Sequence, residues 1–236
     1  MKRYSLLLSL MLMVFGAFAV AQEGASVYVI HGIPGESVGI DGAPVDVYVN
    51  GGLVLSSFMF RDIAGPLNLP AGSYDIAVYL AGSDPEFDAP VMTLPGAELT
   101  DGLNLTIIAN LTADGGFVLT PFVNNIMPIY RSFTYSFYWN NPDLSRFVVR
   151  HTAQAPTADL LVNNSPAFTV SNGTAASADV RARKYRFAIA ATGSFVPVLG
   201  PVDLELEDDK AYFAYAVGSL ADGTFDLILH TIDLLD

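Results

Sequence analysis

From Val27 onward, apolar and polar residues alternate with period two along almost the whole chain. Val45, Val47 and Val49 fall on one side of a strand and Asp46, Tyr48 and Asn50 on the other. In Leu103–Thr112 the odd positions are apolar and the even ones polar, with Ile108 the single exception. Period two predicts half-buried antiparallel strands, since a helix would repeat its apolar face every three to four residues. Asn50-Gly51-Gly52, Pro70-Ala71-Gly72-Ser73, Asp114-Gly115-Gly116 and Asp222-Gly223 separate the strands. These residues supply the positive φ or the side-chain cap that a tight hairpin requires. No amphipathic helical period follows the first 21 residues, so the expected class is all-β.

The pattern also repeats. Val27-Tyr28-Val29-Ile30-His31 matches Phe147-Val148-Val149-Arg150-His151, and Ala43-Pro44-Val45-Asp46-Val47-Tyr48-Val49-Asn50-Gly51 returns as Ala155–Asn164. Tyr74 matches Tyr185, and Ala113-Asp114-Gly115 matches Ala221-Asp222-Gly223. The spacing between matched positions shrinks along the chain, which assigns the longer loops to the first copy, the largest at Glu36–Gly42. Two modules of about 100 residues, each with roughly seven short strands, suit β-sandwiches. The expected division is a leader over 1–21, modules over 22–126 and 146–236, and a joint over 127–145.

The strand ending in His31, the segment Ala43–Gly51 and Leu69-Pro70-Ala71-Gly72-Ser73-Tyr74 together resemble an extracellular family catalogued as domain of unknown function 4397. The resemblance covers nearly all of the chain after the leader. It implies tandem immunoglobulin- or transthyretin-like sandwiches on a secreted or envelope protein, and no catalytic residues. The second copy departs from the pattern at Asn163-Asn164, in place of Asn-Gly, and at Arg183-Lys184, in place of Gly-Ser.

Met1-Lys2-Arg3, an apolar run from Leu6 to Val20 and Ala19-Val20-Ala21 have the three parts of a secretory signal peptide, with cleavage expected after Ala21. The run is short for a membrane span, and no membrane insertion of the mature chain is expected. There is no cysteine, so neither a disulfide nor a thiolate metal site can form. Losing Lys2 and Arg3 takes the net charge from −13 to −15. That balance argues against nucleic acid and anionic bilayers, whose phosphates need clustered Lys and Arg. Residues 22–130 hold one basic residue, Arg61, against 12 acidic ones, while 131–236 hold 8 against 12.

Candidate chemistry is sparse. His31-Gly32-Ile33-Pro34 with Gly35-Glu36-Ser37-Val38-Gly39 imitates the strings of an α/β-hydrolase, with Ser37 and His31 as a remote esterase pair. Both strings share one loop, however, whereas a nucleophile elbow needs its own strand, turn and helix. His31, His151 and His230 occur at no ligand spacing. His31 and His151 are expected to cap strand ends, and His230 to lie on a solvent face. Asp46 and Asp159, each after a Pro turn, are expected to cap backbone N–H groups. With Asn50, Gly51 and Asn163 they define the repeat. Asp84, Glu86 and Asp88 bunch in one loop as weak calcium candidates, and no other cofactor is implied. Glu205, Glu207, Asp208 and Asp209 form a second acidic run. Arg181, Arg183, Lys184 and Arg186 form a basic cluster at a turn. Asn104, Asn110 and Asn172 open glycosylation sequons.

The joint carries Phe133, Tyr135, Phe137 and Trp139 on one face of a period-two segment. Rings so placed either pack between the modules or offer a platform for sugar rings, in which case Tyr135, Phe137 and Trp139 bind the ligand. The expected protein is a non-enzymatic, secreted or envelope-attached module whose partner is a cell-surface protein. A glycan or cell-wall polymer bound at the joint is the alternative.

Overall fold

A computed structural model describes residues 24–35, 44–130 and 143–235. It is all-β: sixteen strands lie in four four-stranded sheets, with no α-helix among the described residues. The first eight are β1 (Ala25–His31), β2 (Val45–Val49), β3 (Gly52–Phe58), β4 (Ile63–Leu69), β5 (Gly72–Leu80), β6 (Met92–Leu99), β7 (Asn104–Leu111) and β8 (Phe117–Val123). The second eight are β9 (Leu144–His151), β10 (Ala158–Val162), β11 (Ser165–Val170), β12 (Ala175–Arg181), β13 (Lys184–Ala191), β14 (Pro197–Glu205), β15 (Lys210–Val217) and β16 (Asp226–Asp233). Each module thus has eight strands rather than about seven.

The sheet orders are β4-β1-β7-β8 with β3-β2-β5-β6, and β12-β9-β15-β16 with β11-β10-β13-β14. Adding eight to each label of the first module reproduces the second, so the sequence repeat is a repeat of topology. In both, the first strand runs parallel to the seventh (β1 with β7, β9 with β15), while every other pairing is antiparallel.

Within the first sandwich, Val27, Leu105, Ile107 and Leu119 meet Val45, Val47, Val78 and Met92. Within the second, Phe147, Val149, Tyr212 and Ala214 meet Leu160, Phe187 and Ile189. Phe147 and Phe187 stack at 4.3 Å between ring centroids. A third core lies between the modules. Ile30, Ile108 and Phe122 of the first pack against Val148, Phe213, Tyr215, Val217 and Ile228 of the second. The central strands β7, β9 and β15 are therefore covered on both faces, and the modules stand side by side, sheet against sheet.

This seam corrects two sequence expectations and closes off two of the sequons. β7 is buried at all eight positions, not half-buried, and Ile108 is no exception but part of a second buried face. His230 does not face solvent: it is 8 % exposed and meets Tyr28 edge-on at 4.4 Å. Asn104 and Asn110 are buried in the seam and inaccessible to a glycosyltransferase in the folded chain.

The first sites of the repeat are conformational. Asn50 and Gly51 have φ of 50° and 78°, and Asn163 and Asn164 have 51° and 67°. Positive φ at both central residues of a two-residue hairpin loop is the type I′ turn, whose twist matches that of the flanking strands. Asn50 Oδ1 accepts from the Asp75 N–H at 2.8 Å, and Asn163 Oδ1 from the Arg186 N–H at 3.0 Å, tying each turn to the adjacent strand. The Tyr74 hydroxyl donates to the Pro70 carbonyl and the Tyr185 hydroxyl to the Arg181 carbonyl, each four residues upstream. These bonds resemble the tyrosine corner of immunoglobulin-like sandwiches.

Candidate functional site

The histidines at the ends of β1 and β9 are enclosed. His31 is 1 % exposed, and its Nδ1 accepts from the Ile33 N–H at 3.3 Å. His151 is fully buried, with Nε2 3.0 Å from the Pro156 carbonyl oxygen. Burial pushes the His151 imidazole below its ordinary pKa, although the bond to the Pro156 carbonyl works the other way. His230 is pushed down to about 4 by burial and by the nearby Arg150 charge. The three do not come together: among the described residues no group of three or more His, Asp or Glu side chains is placed to hold a metal ion. An α/β-hydrolase reading of His31 fails on the all-β fold, and Ser37 lies outside the described residues.

Asp46 and Asp159 are buried at equivalent points and join three strands. Asp46 accepts from the Ser57 N–H at 2.8 Å and the Gly82 N–H at 3.2 Å. Asp159 accepts from the Thr169 hydroxyl at 2.6 Å and the Gly193 N–H at 2.8 Å. Those two bonds hold the Asp159 carboxyl below the ordinary carboxylate range. The partners differ because β3 carries a bulge opposite β2, with Ser57 at φ 51°, whereas Asp159 and Thr169 face each other in register.

The calcium candidates do not converge. Asp84 Oδ1 accepts from the Glu86 N–H and Asp88 Oδ2 from the Asp84 N–H, so two of the three carboxylates serve to fold their own loop. In the second acidic run, Asp208 accepts from the Leu144 N–H, and Glu207 pairs with Lys210. The basic cluster lies at the β12–β13 turn. There Arg183 stacks over the Tyr185 ring at 5.0 Å and Lys184 pairs with Asp203 at 3.0 Å, within its own module. Phe133, Tyr135, Phe137 and Trp139 lie outside the described residues, as does the leader. Among the described residues the modules meet through sheet faces.

Two loops, one of them the acidic loop of Asp84, Glu86 and Asp88, share a property that composition did not single out. The β5–β6 loop exposes Phe87 at 85 %, and the equivalent β13–β14 loop exposes Phe195 at 67 %. Each ring is followed by Pro-Val, Pro90-Val91 and Pro197-Val198, with both valines also exposed. The two loops lie on the same end of the molecule. His31 contacts the Phe58 ring, Phe58 pairs with Val45, and Val45 with Leu80, which brings the β5–β6 loop to the end where β1 finishes. In the second module His151 meets Pro156, and Ala158 pairs with Ala191. The Asn172 amide, donating to both the Leu111 and Ala153 carbonyls, sets these two ends beside each other. An exposed Phe followed by Pro-Val in matching loops was the signal available in the sequence, but a ring is only meaningful there once its exposure is known.

The fold defined by these elements is a helix-free double β-sandwich. Residues 25–130, the first module, match the family model described as Domain of unknown function (DUF4397). The match stops at the end of that module. No curated protein matches the chain. Solved structures similar to it include the Bacillus anthracis TIE protein, at 10 % identity and a TM-score of 0.22. That match covers 83 % of this chain, which spans only 33 % of the other. Two further structures are provisionally described as cell adhesion proteins. The one from Bacteroides uniformis is 9 % identical with a TM-score of 0.25, over 92 % of this chain and 99 % of that one. The one from Bacteroides ovatus is 10 % identical with a TM-score of 0.26, over 89 % and 98 %. No helix of the described residues is long and apolar enough to cross a membrane.

Proposed function

We propose that the chain is a non-enzymatic interaction module of the cell envelope, exported by its leader, in which the second sandwich is a diverged copy of the first. Identical sheet order supports the copy. The observation that carries the function is the pair of exposed rings, Phe87 and Phe195, repeated at one end of a block that a third core makes rigid. Exposed aromatic anchors on a pre-ordered frame suit protein recognition, because ordering costs are already met before binding. Phe87 stands among Asp84, Glu86 and Asp88, so the fitting partner offers an apolar pocket with a basic rim.

The test uses residues 22–236 on isolated envelope fractions, beside the double variant Phe87→Ser, Phe195→Ser. Saturable binding that protease treatment of the envelope abolishes, that periodate oxidation of its glycans spares, and that the double variant lacks is the expected result. Binding that survives protease and is lost on oxidation would instead favour a glycan partner, with Tyr135, Phe137 and Trp139 as the next residues to substitute.

A further inference from the structure

The seam holds a buried cation with no carboxylate beside it among the described residues. Arg150, on β9, is 2 % exposed. Its guanidinium lies 4.7 Å from the Phe122 and Phe213 ring centroids and 5.2 Å from that of Tyr215. Nη1 donates to Asn124 Oδ1 at 2.9 Å and to the Tyr215 hydroxyl at 2.5 Å, and Nη2 donates to the Val123 carbonyl at 3.0 Å. All these partners are neutral. Among the described residues the buried Nε–H has no hydrogen-bond partner. Three of the five donors are used, leaving Nε–H and one Nη2–H. Burial lowers the guanidinium pKa, yet an arginine remains charged throughout the physiological range.

Arg150 lines a groove where the edge of β8 meets the outer face of β9 and β12. Phe122 and Val123 form one wall, with Val148, Ala176 and Ser177 opposite. Arg146 also lines it, but its charge is already met: Nε and Nη2 bind the Asp179 carboxylate at 2.8 and 3.0 Å. The neighbouring arginine thus shows what Arg150 lacks.

We propose that this groove binds a small organic carboxylate bearing a short branched or aromatic substituent. The carboxylate takes the Nε–H and Nη2–H of Arg150, and the substituent lies against Val148, Phe122 and Ala175. A planar, singly charged oxyanion fits one guanidinium edge in a bidentate pair. A phosphate is tetrahedral and carries a second charge, which one guanidinium edge does not match. Val123, 65 % exposed at the mouth, turns aside to admit the ligand. The site lies on the seam, apart from the Phe87 and Phe195 loops, and does not depend on their role.

Isobutyrate and benzoate, titrated against residues 22–236 beside isobutyramide, benzamide and inorganic phosphate, test the assignment. The readouts are calorimetry and the 15N-edited NMR signal of the Arg150 Nε–H. The carboxylates are expected to bind with a Kd on the order of millimolar or tighter, within the reach of a ligand of so few atoms. They should shift the Nε–H signal and raise Tm, while the amides and phosphate do neither. Because Arg150→Met removes a buried partner and could unfold the seam, Ser177→Phe is the second variant: Ser177 pairs with Val148 on the groove face of β12, so the ring fills the groove and leaves the Arg150 bonds intact. It should weaken carboxylate binding at least about tenfold. No Nε–H shift with any carboxylate, equal binding of the amides or phosphate, or undiminished binding to folded Ser177→Phe would each overturn the proposal.

Discussion

The seam is built from two copies of one sheet, and its two faces have drifted to opposite chemistries at matched points. In the first module Ile30 pairs with Ile108 across β1 and β7; in the second Arg150 pairs with Tyr215 across β9 and β15. One register further along, Tyr28 with Thr106 is answered by Val148 with Phe213. The residues that shape each module did not diverge this way: Asn50 with Asn163 and Tyr74 with Tyr185 keep both type and partners, and Asp46 with Asp159 keep their type and the bond from a glycine N–H. Positions that fold the module are thus alike, and positions by which the modules recognise each other are complementary. A self-identical apolar face would pair with any copy of itself, whereas an arginine facing Asn124 fits only the other module.

The comparison breaks most sharply at its polar centre. Arg150→Met leaves Asn124 Oδ1, the Tyr215 hydroxyl and the Val123 carbonyl without their donor and should cost about 1–3 kcal/mol in urea unfolding. Restoring the first module's pair with Arg150→Ile, Tyr215→Ile should cost less than the sum of the two single changes, by roughly 1–3 kcal/mol. Strict additivity would mean the two residues are not one unit.

Gly32 offers the next test. A Cβ there would stand 2.9 Å from the Ala109 carbonyl oxygen and 3.1 Å from Val217 Cγ1 across the seam. The matching residue, Thr152, is tolerated and buried, its hydroxyl donating to the Ala216 carbonyl at 2.8 Å. Gly32→Val should therefore destabilise by about 1–3 kcal/mol through overpacking. Thr152→Val keeps the volume and should lose only its hydrogen bond, about 1 kcal/mol.

His230 gives the comparison a pH dependence. Its folded pKa of about 4 lies below the ordinary value of 6.5, so below pH 6.5 the unfolded chain takes up the proton first. This group costs nothing at neutral pH, and its destabilisation grows as pH falls from 6.5 to about 4. About 1–2 kcal/mol of loss is expected. Urea midpoints at pH 7 and pH 4.5 should converge in His230→Phe relative to the parent; an unchanged slope would remove His230 as the source. Smallest is the turn. Asn164 holds φ 67° where the first module has Gly51, and Asn164→Gly should shift stability by less than about 1 kcal/mol, measured by Tm.

Much of this architecture was legible because period two and turn chemistry are local. Val45, Val47, Val49 and Asn50-Gly51 announce a strand and its hairpin without reference to the rest of the chain. The repeat, read from His31, Tyr74 and Asp114 and their counterparts, told that the fold occurs twice. The seam was not legible, because its first-module face is polar: Asn104, Thr106 and Asn124 look solvated in sequence but satisfy one another when buried. Asn124 Nδ2 donates to Asn104 Oδ1 at 2.7 Å and to the Thr106 hydroxyl at 3.0 Å. Only Ile108 broke the pattern, and one apolar residue on a polar face cannot reveal a partner. Arg150, beside a repeated histidine, reads as a surface charge until the second module's position is known. The exposed rings at Phe87 and Phe195 escaped for the opposite reason, since an isolated Phe in a strand-rich sequence reads as core.

The third core has a consequence for how the chain is made. During synthesis the first sandwich emerges before its partner, with Ile30, Ile108 and Phe122 uncovered and Asn104, Thr106 and Asn124 bound only among themselves. The later sandwich then closes over that surface. A cut between residues 130 and 143 would leave two fragments that travel together through a sizing column, whereas either half produced alone would be a sticky, self-seeking surface.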